Sequence, residues 1–254
     1  MNNHPLQRTA QFLAGLRQPG PRPESLPPAL APQNETQAYA LQQRVAALLK
    51  VSAGGWKVAM NADLTGSYAP VFAPDIHRSG ARVGSAITEQ LGIEPEVAFT
   101  LKHTLAAGRR YTRQEVIDAI GSAHAAIEIV ISRFQRHESA AVLDRLADNL
   151  SNGGLVLGPA LERWQHLDFS SLPLQLILTP AGGQSRRHQA RGGHPLGDPL
   201  LPMIWIVNER AAQGVGLQQG EVVTTGSYAG LHYAARGTRV QVEFEGLGGV
   251  ELYG

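Results

Sequence analysis

Apolar residues recur at helical spacing near the start of the chain and at strand spacing further on. Residues 5–18 read as a short helix and 34–50 as a second. Asn34 is placed to cap the second helix, with Gln37 three residues on, and Ala38, Leu41, Val45 and Leu48 form one apolar stripe. Between the two, residues 19–32 hold six prolines and read as extended and irregular. From Gly54 the texture changes to short apolar segments broken by Gly, Pro and Asn. Residues 94–101 alternate like a strand. Thr112 and Glu115 form a capping box that predicts a helix to about Ala123. Residues 126–132 alternate with period two, Ile127, Ile129 and Ile131 on one face and Glu128, Val130 and Ser132 on the other. Strands are predicted at 172–179, 185–191, 221–226, 238–245 and 249–253, and a helix from Asp198-Pro199 to Gly214. The strict strand–helix alternation of a doubly wound fold is absent. The pattern predicts an α+β fold with a rolled or barrel-like sheet.

Two positions stand out against this pattern. On a strand, Glu94 and Glu96 point to one face, with Pro95 between them removing a ladder donor, so that strand is expected to be an edge or irregular there. The pair is either a solvated strand face or a site for a hard cation, since neighbouring carboxylates repel unless something positive lies between them. Glu128 is the single acid within Ala125-Ala126-Ile127-Glu128-Ile129-Val130-Ile131. Buried, it would need a partner or a metal; on an antiparallel sheet it could instead face water.

Composition narrows the chemistry. There is no cysteine among the 254 residues, which excludes disulfides, thiolate metal sites, iron–sulfur clusters and a thiol nucleophile. The 22 Lys+Arg balance 21 Asp+Glu, unlike the basic footprint of a nucleic-acid binder. No apolar run reaches the length of a membrane span, and residues 1–20 lack the apolar core of a signal peptide, so a cytoplasmic protein without membrane or nucleic-acid partners is expected. Lysine is scarce: Lys50, Lys57 and Lys102 are the amine acid/base candidates.

Taken in order, Gly55-Trp56-Lys57, Ile93-Glu94-Pro95-Glu96-Val97-Ala98-Phe99, Ala126-Ile127-Glu128-Ile129-Val130 with Ser132-Arg133, Ala147-Asp148-Asn149 through Val156-Leu157-Gly158, Gly193-His194-Pro195-Leu196, Trp205-Ile206-Val207-Asn208 and Gly220 through Ser227 form a recognisable series. From about residue 35 onward the chain resembles the 2-keto-4-pentenoate hydratase / 4-oxalocrotonate decarboxylase group of the fumarylacetoacetate hydrolase superfamily. The resemblance implies a mixed β-roll, with residues 1–52 as an N-terminal helical arm and 53–254 as the catalytic domain, together one compact unit. It implies Mg²⁺ or Mn²⁺ held by Glu94, Glu96 and Glu128, and a 2-oxo acid chelating that ion. The metal would act as a Lewis acid toward the enolate formed when a proton moves. Lys57 is implied as the acid/base, its pKa lowered by partial burial beside a dication; otherwise it is a surface lysine lying past Trp56. Asp75 is either an acid near the metal or the cap of a turn. Thr225-Gly226-Ser227 is implied to approach the substrate carboxylate, with Asn149 and the residues after it adding backbone contacts; otherwise 225–227 is a strand-ending turn. His194 reads as structural rather than as a ligand.

The chain departs from the family pattern after Lys57, where Val58-Ala59-Met60-Asn61-Ala62 replaces the usual Ile/Val-Gly-Leu-Thr-Ser, and at Ile131, where the family has an aspartate before Ser-Arg. These changes leave the implied metal site standing and bear on substrate. The leading expectation is a metal-dependent hydratase of a 2-oxo-alkenoate. A 4-oxalocrotonate-type decarboxylase and a non-catalytic 2-oxo acid binding or scaffold protein are the rivals. A homo-oligomer is expected, since the proline-rich 19–32 arm is long for a monomer surface, and a complex with a related hydratase or decarboxylase is compatible with the family.

Overall fold

A computed structural model describes residues 5–136, 140–191 and 193–254. The helices are α1 (Pro5–Gly15), α2 (Glu35–Leu49), α3 (Arg113–Ala119), α4 (Val142–Ala147) and α5 (Leu200–Ala212). The strands are β1 (Ala53–Met60), β2 (Gly66–Phe72), β3 (Ile76–Arg78), β4 (Ala81–Arg82), β5 (Gln90–Leu101), β6 (Ile120–Val130) and β7 (Asn152–Leu157). They continue with β8 (Pro173–Thr179), β9 (Arg186–Arg191), β10 (Val222–Ser227), β11 (His232–Ala235), β12 (Arg239–Phe244) and β13 (Gly248–Tyr253). One sheet runs β2-β1-β10-β5-β6-β7-β3, with β11 also paired to β5; the other runs β4-β13-β12-β8-β9.

The alternation of side chains divides the first sheet cleanly. Trp56, Val97, Phe99, Ile127, Ile129 and Val223 project from one face into the main core, where they meet Leu174, Leu176 and Leu178 of β8 and Val240, Val242 and Phe244 of β12. The opposite face carries a smaller cluster of Val71, Ala98, Ala126, Leu155 and Val222. The sheet rolls on itself so that β2 packs against β7, and this second face becomes the interior of the roll. Short side chains fill it because space inside a closed sheet is narrow. Gly55 is required here: a Cβ at that position would collide with the Val222 carbonyl across the parallel β1–β10 pair.

The N-terminal helices have a core of their own. Ala10 and Leu13 of α1 and Ala38, Leu41 and Val45 of α2 pack with Leu26, Phe134 and Leu146. Asn34 caps α2 by accepting from Gln37 N at 3.0 Å. Leu48 is 38% exposed and leaves the expected stripe; the buried position is instead Gln42, whose amide donates to Leu146 O at 2.7 Å.

Two expectations are corrected. The helix opened by the Thr112 capping box ends at Ala119, and Ile120–Ala123 join β6, because Ala123 and Ser122 pair with Phe99 and Thr100. The strand containing Pro95 is central, flanked by β6 on one side and β10 and β11 on the other. It is irregular as expected: β10 bulges opposite Val97, between Thr224 and Ser227, and Pro95 itself falls in the gap between the β10 pairing, which stops at Glu96, and the β11 pairing, which starts at Ile93. The proline-rich segment is also tied down within the chain. Leu26 is buried with its N–H on Asp144 Oδ2 at 2.8 Å, Gln135 N donates to Pro23 O at 2.9 Å, and Arg22 Nη1 to Ser132 O at 3.0 Å. An under-supported arm is therefore no argument for assembly.

Candidate metal centre and active site

The interior face of the roll is where the charged residues meet. Glu94 lies opposite Glu128 across β5–β6, Glu96 opposite Ser227 across β5–β10, and Lys57 opposite Thr224 across β1–β10. By alternation all of these share the face of Ala98 and Ala126. One carboxylate oxygen from each of Glu94, Glu96 and Glu128 lies within 4.8 Å of the others. Glu96 and Glu128 are buried and Glu94 is half-buried. Glu128 therefore does not face water.

Each glutamate is held differently. Glu128 Oε1 accepts from Lys57 Nζ at 2.5 Å and from Asn152 Nδ2 at 3.0 Å. Glu96 Oε2 accepts from the Thr224 hydroxyl and from Gly226 N at 3.0 Å. Glu94 accepts no hydrogen bond among the described residues. Burial, reinforced by the charge of Glu128, raises Glu94 to about 7. Burial, then Glu128 and Glu94, raises Glu96 to about 8, against the hydrogen bonds from Thr224 and Gly226. Three hard oxygen donors that resist carrying their charges together fit a divalent cation such as Mg²⁺ or Mn²⁺, whose remaining positions would take water or substrate oxygens.

Lys57 is buried, with Nζ also donating to Leu150 O at 3.2 Å. Trp56 points to the other face, under the Arg210 guanidinium 3.5 Å from its ring, so Lys57 is not a surface lysine extended along it. Burial pulls the Lys57 pKa down, but Glu128, Glu94 and Glu96 outweigh it and the net shift is upward. The expected lowering thus requires a cation to cancel the carboxylates.

Leu150 belongs to a turn in which Asn149, Leu150 and Ser151 have φ of 52°, 49° and 59°. Three consecutive non-glycine residues in the left-handed region are strained. Arg133 and Asp148 hold the turn. They form a buried ion pair through Arg133 Nε and Asp148 Oδ1, while Arg133 Nη2 reaches Asp148 O at 2.5 Å and Nη1 reaches Asn152 O at 2.9 Å. Asp148 is thus the acidic partner that the sequence around Ile131-Ser132-Arg133 lacks. Asn149 is buried, its Nδ2 3.4 Å from Pro70 O and its Oδ1 without a partner.

The remaining sequence candidates fall around this centre. Asp75 sits half-buried in a short 3₁₀ turn before β3, where Ile76 pairs with Leu155, itself opposite Glu128. It is not part of the glutamate cluster. Burial raises its pKa, against the fields of Arg17, His77 and Arg133. The Thr225 hydroxyl donates to Val97 O at 2.9 Å and the Ser227 hydroxyl to Gly230 O at 3.0 Å, so both side chains are engaged by backbone. Gly226, at φ 118°, turns its N–H onto Glu96; His194 Nε2 would lie 3.1 Å from a Cβ there. His194 is structural: Nδ1 accepts from Leu196 N at 3.2 Å and Nε2 donates to Thr225 O at 2.6 Å. Thr224, Asp148 and Arg133 are not among the sequence candidates, and Asn152, expected to offer backbone contacts to substrate, instead donates its side-chain amide to Glu128. Thr224 was readable by alternation from Val223, which is core.

A family model described as fumarylacetoacetate (FAA) hydrolase C-terminal matches residues 42–252. The chain is 32% identical over 180 residues to 2-keto-4-pentenoate hydratase 2 of Dechloromonas aromatica (strain RCB), covering 71% of this chain and 66% of that one. It is 34% identical over 160 residues to 2-hydroxyhexa-2,4-dienoate hydratase of Comamonas testosteroni, covering 61% and 56%. The matched stretches thus span under two thirds of these relatives. In fold, the chain superimposes on 4-oxalocrotonate decarboxylase from Pseudomonas putida G7, complexed with magnesium and adipate, with a TM-score of 0.83 and 18% identity over 100% of this chain and 98% of that one.

Proposed function

The chain belongs to the fumarylacetoacetate (FAA) hydrolase C-terminal family, and from that premise we propose that it is a divalent-metal-dependent hydratase. It adds water to a 2-oxo-alkenoate of the 2-hydroxypentadienoate type in aromatic catabolism. The observation that carries this reading is the convergence of Glu94, Glu96 and Glu128 with Lys57 Nζ 2.5 Å from Glu128. The named hydratase relatives support the reaction class.

Glu94, Glu96 and Glu128 hold Mg²⁺ or Mn²⁺, which when bound supplies Lewis-acid polarisation of the 2-oxo group. Thr224 and Gly226 orient Glu96, and Asn152 orients Glu128. Lys57 Nζ carries the proton to and from the substrate carbon, positioned by Glu128 and Leu150 O. Asp75 is the second candidate for the proton. Asn149, with its unpartnered Oδ1, and the turn at Thr225, Gly226 and Ser227 border the substrate. The small apolar residues of the roll interior keep bulk water from the centre.

In this reading residues 1–52 are a helical arm on a catalytic domain of 53–254, and the protein acts in the cytoplasm as a homo-oligomer. No helix among the described residues is long and apolar enough to cross a membrane. The test is to strip the protein with EDTA and assay hydration of 2-hydroxypentadienoate. Activity is lost and returns with Mg²⁺ or Mn²⁺; full activity in the stripped protein overturns the reading. A 4-oxalocrotonate-type decarboxylation is the second reaction to assay, favoured by the whole-chain likeness to the Pseudomonas putida decarboxylase. Oxalate binding with metal but no turnover in either assay would instead favour a binding or scaffold protein.

A further inference from the structure

Helix α5 is apolar over more of its circumference than its own chain covers. Leu200, Met203, Ile206 and Val207 pack into the main core. Leu201, Ile204 and Trp205, turned away from them at helical spacing, are only half-buried. They floor a groove of about 710 Å³ that is open to solvent. The hairpin joining β1 and β2 walls it on the Trp205 side with Met60 and Leu64, and a Cβ at Gly66 would come within 2.9 Å of the Trp205 ring. Arg109 and Arg110 wall it on the Ala211 side, where Gly108 N donates to Ala211 O at 3.1 Å. A helix apolar on all sides belongs in an interior, so the second face of α5 is one that another protein surface covers.

Leu64 points the same way. Its φ is 65° and it is 55% exposed. A left-handed turn position ordinarily takes Gly, Asn or Asp, and an exposed tip has no use for a large apolar side chain. The tip is nevertheless fixed. Asn61 N donates to Thr65 O at 2.8 Å, Leu64 N to Asn61 O at 3.0 Å, and Thr65 N to Asp63 Oδ1 at 3.0 Å. A rigid turn that presents a strained, exposed leucine is built as a knob for an apolar socket.

The charges around the groove decide what covers it. Arg109 is held in place by Glu115 at 2.7 Å, and Arg110 makes no ion pair among the described residues. Asp63, beside Leu64, and Glu209, in the groove lining, make none either. A nucleic acid or an anionic membrane would call for cations alone. A patch that holds cations and carboxylates side by side complements itself when turned over by a two-fold axis. We propose that this groove is the interface between two copies of the chain, with Leu64 of each seated over the partner's Ile204 and Trp205. The arginine wall of each copy then faces the partner's Asp63 and Glu209. The proposal gives the homo-oligomer a surface that the tied-down proline-rich segment does not provide. It takes nothing from the metal centre, because Met60 shares the Trp56 and Val58 face of β1 and Lys57 lies on the other.

The test is sedimentation equilibrium of the full chain at micromolar concentration, with Leu64→Asn and Ile204→Glu beside wild type. Wild type is expected as a dimer or a multiple of one. Asparagine suits the left-handed turn, so Leu64→Asn keeps the fold. It is expected to weaken association roughly 30-fold or more, the loss of an interface anchor. Ile204→Glu is expected to drop to a smaller species with an unchanged circular dichroism spectrum; should it not fold, Leu64→Asn decides alone. A folded Leu64→Asn that associates as tightly as wild type overturns this face and leaves the homo-oligomer standing. A wild-type monomer overturns both, and uptake of an apolar dye beside Trp205 by that monomer would mark the groove as a small-molecule site instead. The hydratase reading is tested separately, by its dependence on metal.

Discussion

Glu94 and Glu128 face each other directly across the antiparallel β5–β6 pair, on the inner face of a rolled sheet. Like charges so placed destabilise a sheet unless a cation lies between them. Glu128→Gln is expected to fold and to bind Mg²⁺ at least about 100-fold more weakly, because a ligand matters no less than the outer-shell partners whose loss costs roughly 10- to 100-fold. Calorimetric titration with Mg²⁺ reads this; an unchanged affinity would show that Glu128 is not a ligand.

Lys57→Met is expected to retain 2-oxo acid binding and to lower kcat by roughly 10²–10⁴, the usual worth of a positioned proton carrier. The substitution should also remove one limb of the pH–rate profile. Near wild-type turnover would move the proton carrier to Asp75.

The metal-free protein should lose stability as pH rises. Glu94 and Glu96 have folded values of about 7 and about 8 against 4.5 in the unfolded chain. Between these limits the native state holds more protons than the unfolded one, so its stability falls through this window. Scanning calorimetry at pH 5.5 and 8 should show a lower Tm at pH 8 without metal and a larger gain from Mg²⁺ there. A Mg²⁺ effect of equal size at both pH values would contradict the placement of these charges.

Thr224→Val removes the hydroxyl that Glu96 accepts. Metal affinity should fall roughly 10- to 100-fold with turnover restored at saturating Mg²⁺, a pattern that loss of the fold would not give. Thr224→Ser, which keeps the hydroxyl, should rescue most of the affinity.

Arg133→Met leaves Asp148 charged and buried without its partner. A loss of about 3–5 kcal/mol is expected by urea unfolding. A loss below about 1 kcal/mol would mean that water reaches Asp148 and that the pair does not anchor the turn.

Much of this site is written locally. The same-face placement of Glu94 and Glu96 follows from alternation alone, and the isolation of Glu128 among apolar neighbours marks it as exceptional. The helix expected to reach Ala123 fails because a capping box fixes where a helix begins and not where pairing with β5 takes the chain over. Pro95 suggests an edge, yet it sits in a central strand, at the gap between its β10 and β11 partners where no ladder bond needs its missing N–H. The Arg133–Asp148 pair and the Lys57–Leu150 contact are illegible for a different reason. Their contacts join residues from separate elements, and nothing in the periodicity of either partner says which element it will meet.

The left-handed run of Asn149, Leu150 and Ser151 contains no glycine. Glycine at any of these positions would relieve the conformational penalty, and a laboratory selection for heat resistance would reward it. Leu150 O is also a fixed partner of the Lys57 ammonium. Variants that survive such a selection through this turn should be sturdier proteins with a less well-placed amine. Screening for melting temperature alone would therefore select against the activity proposed for this chain.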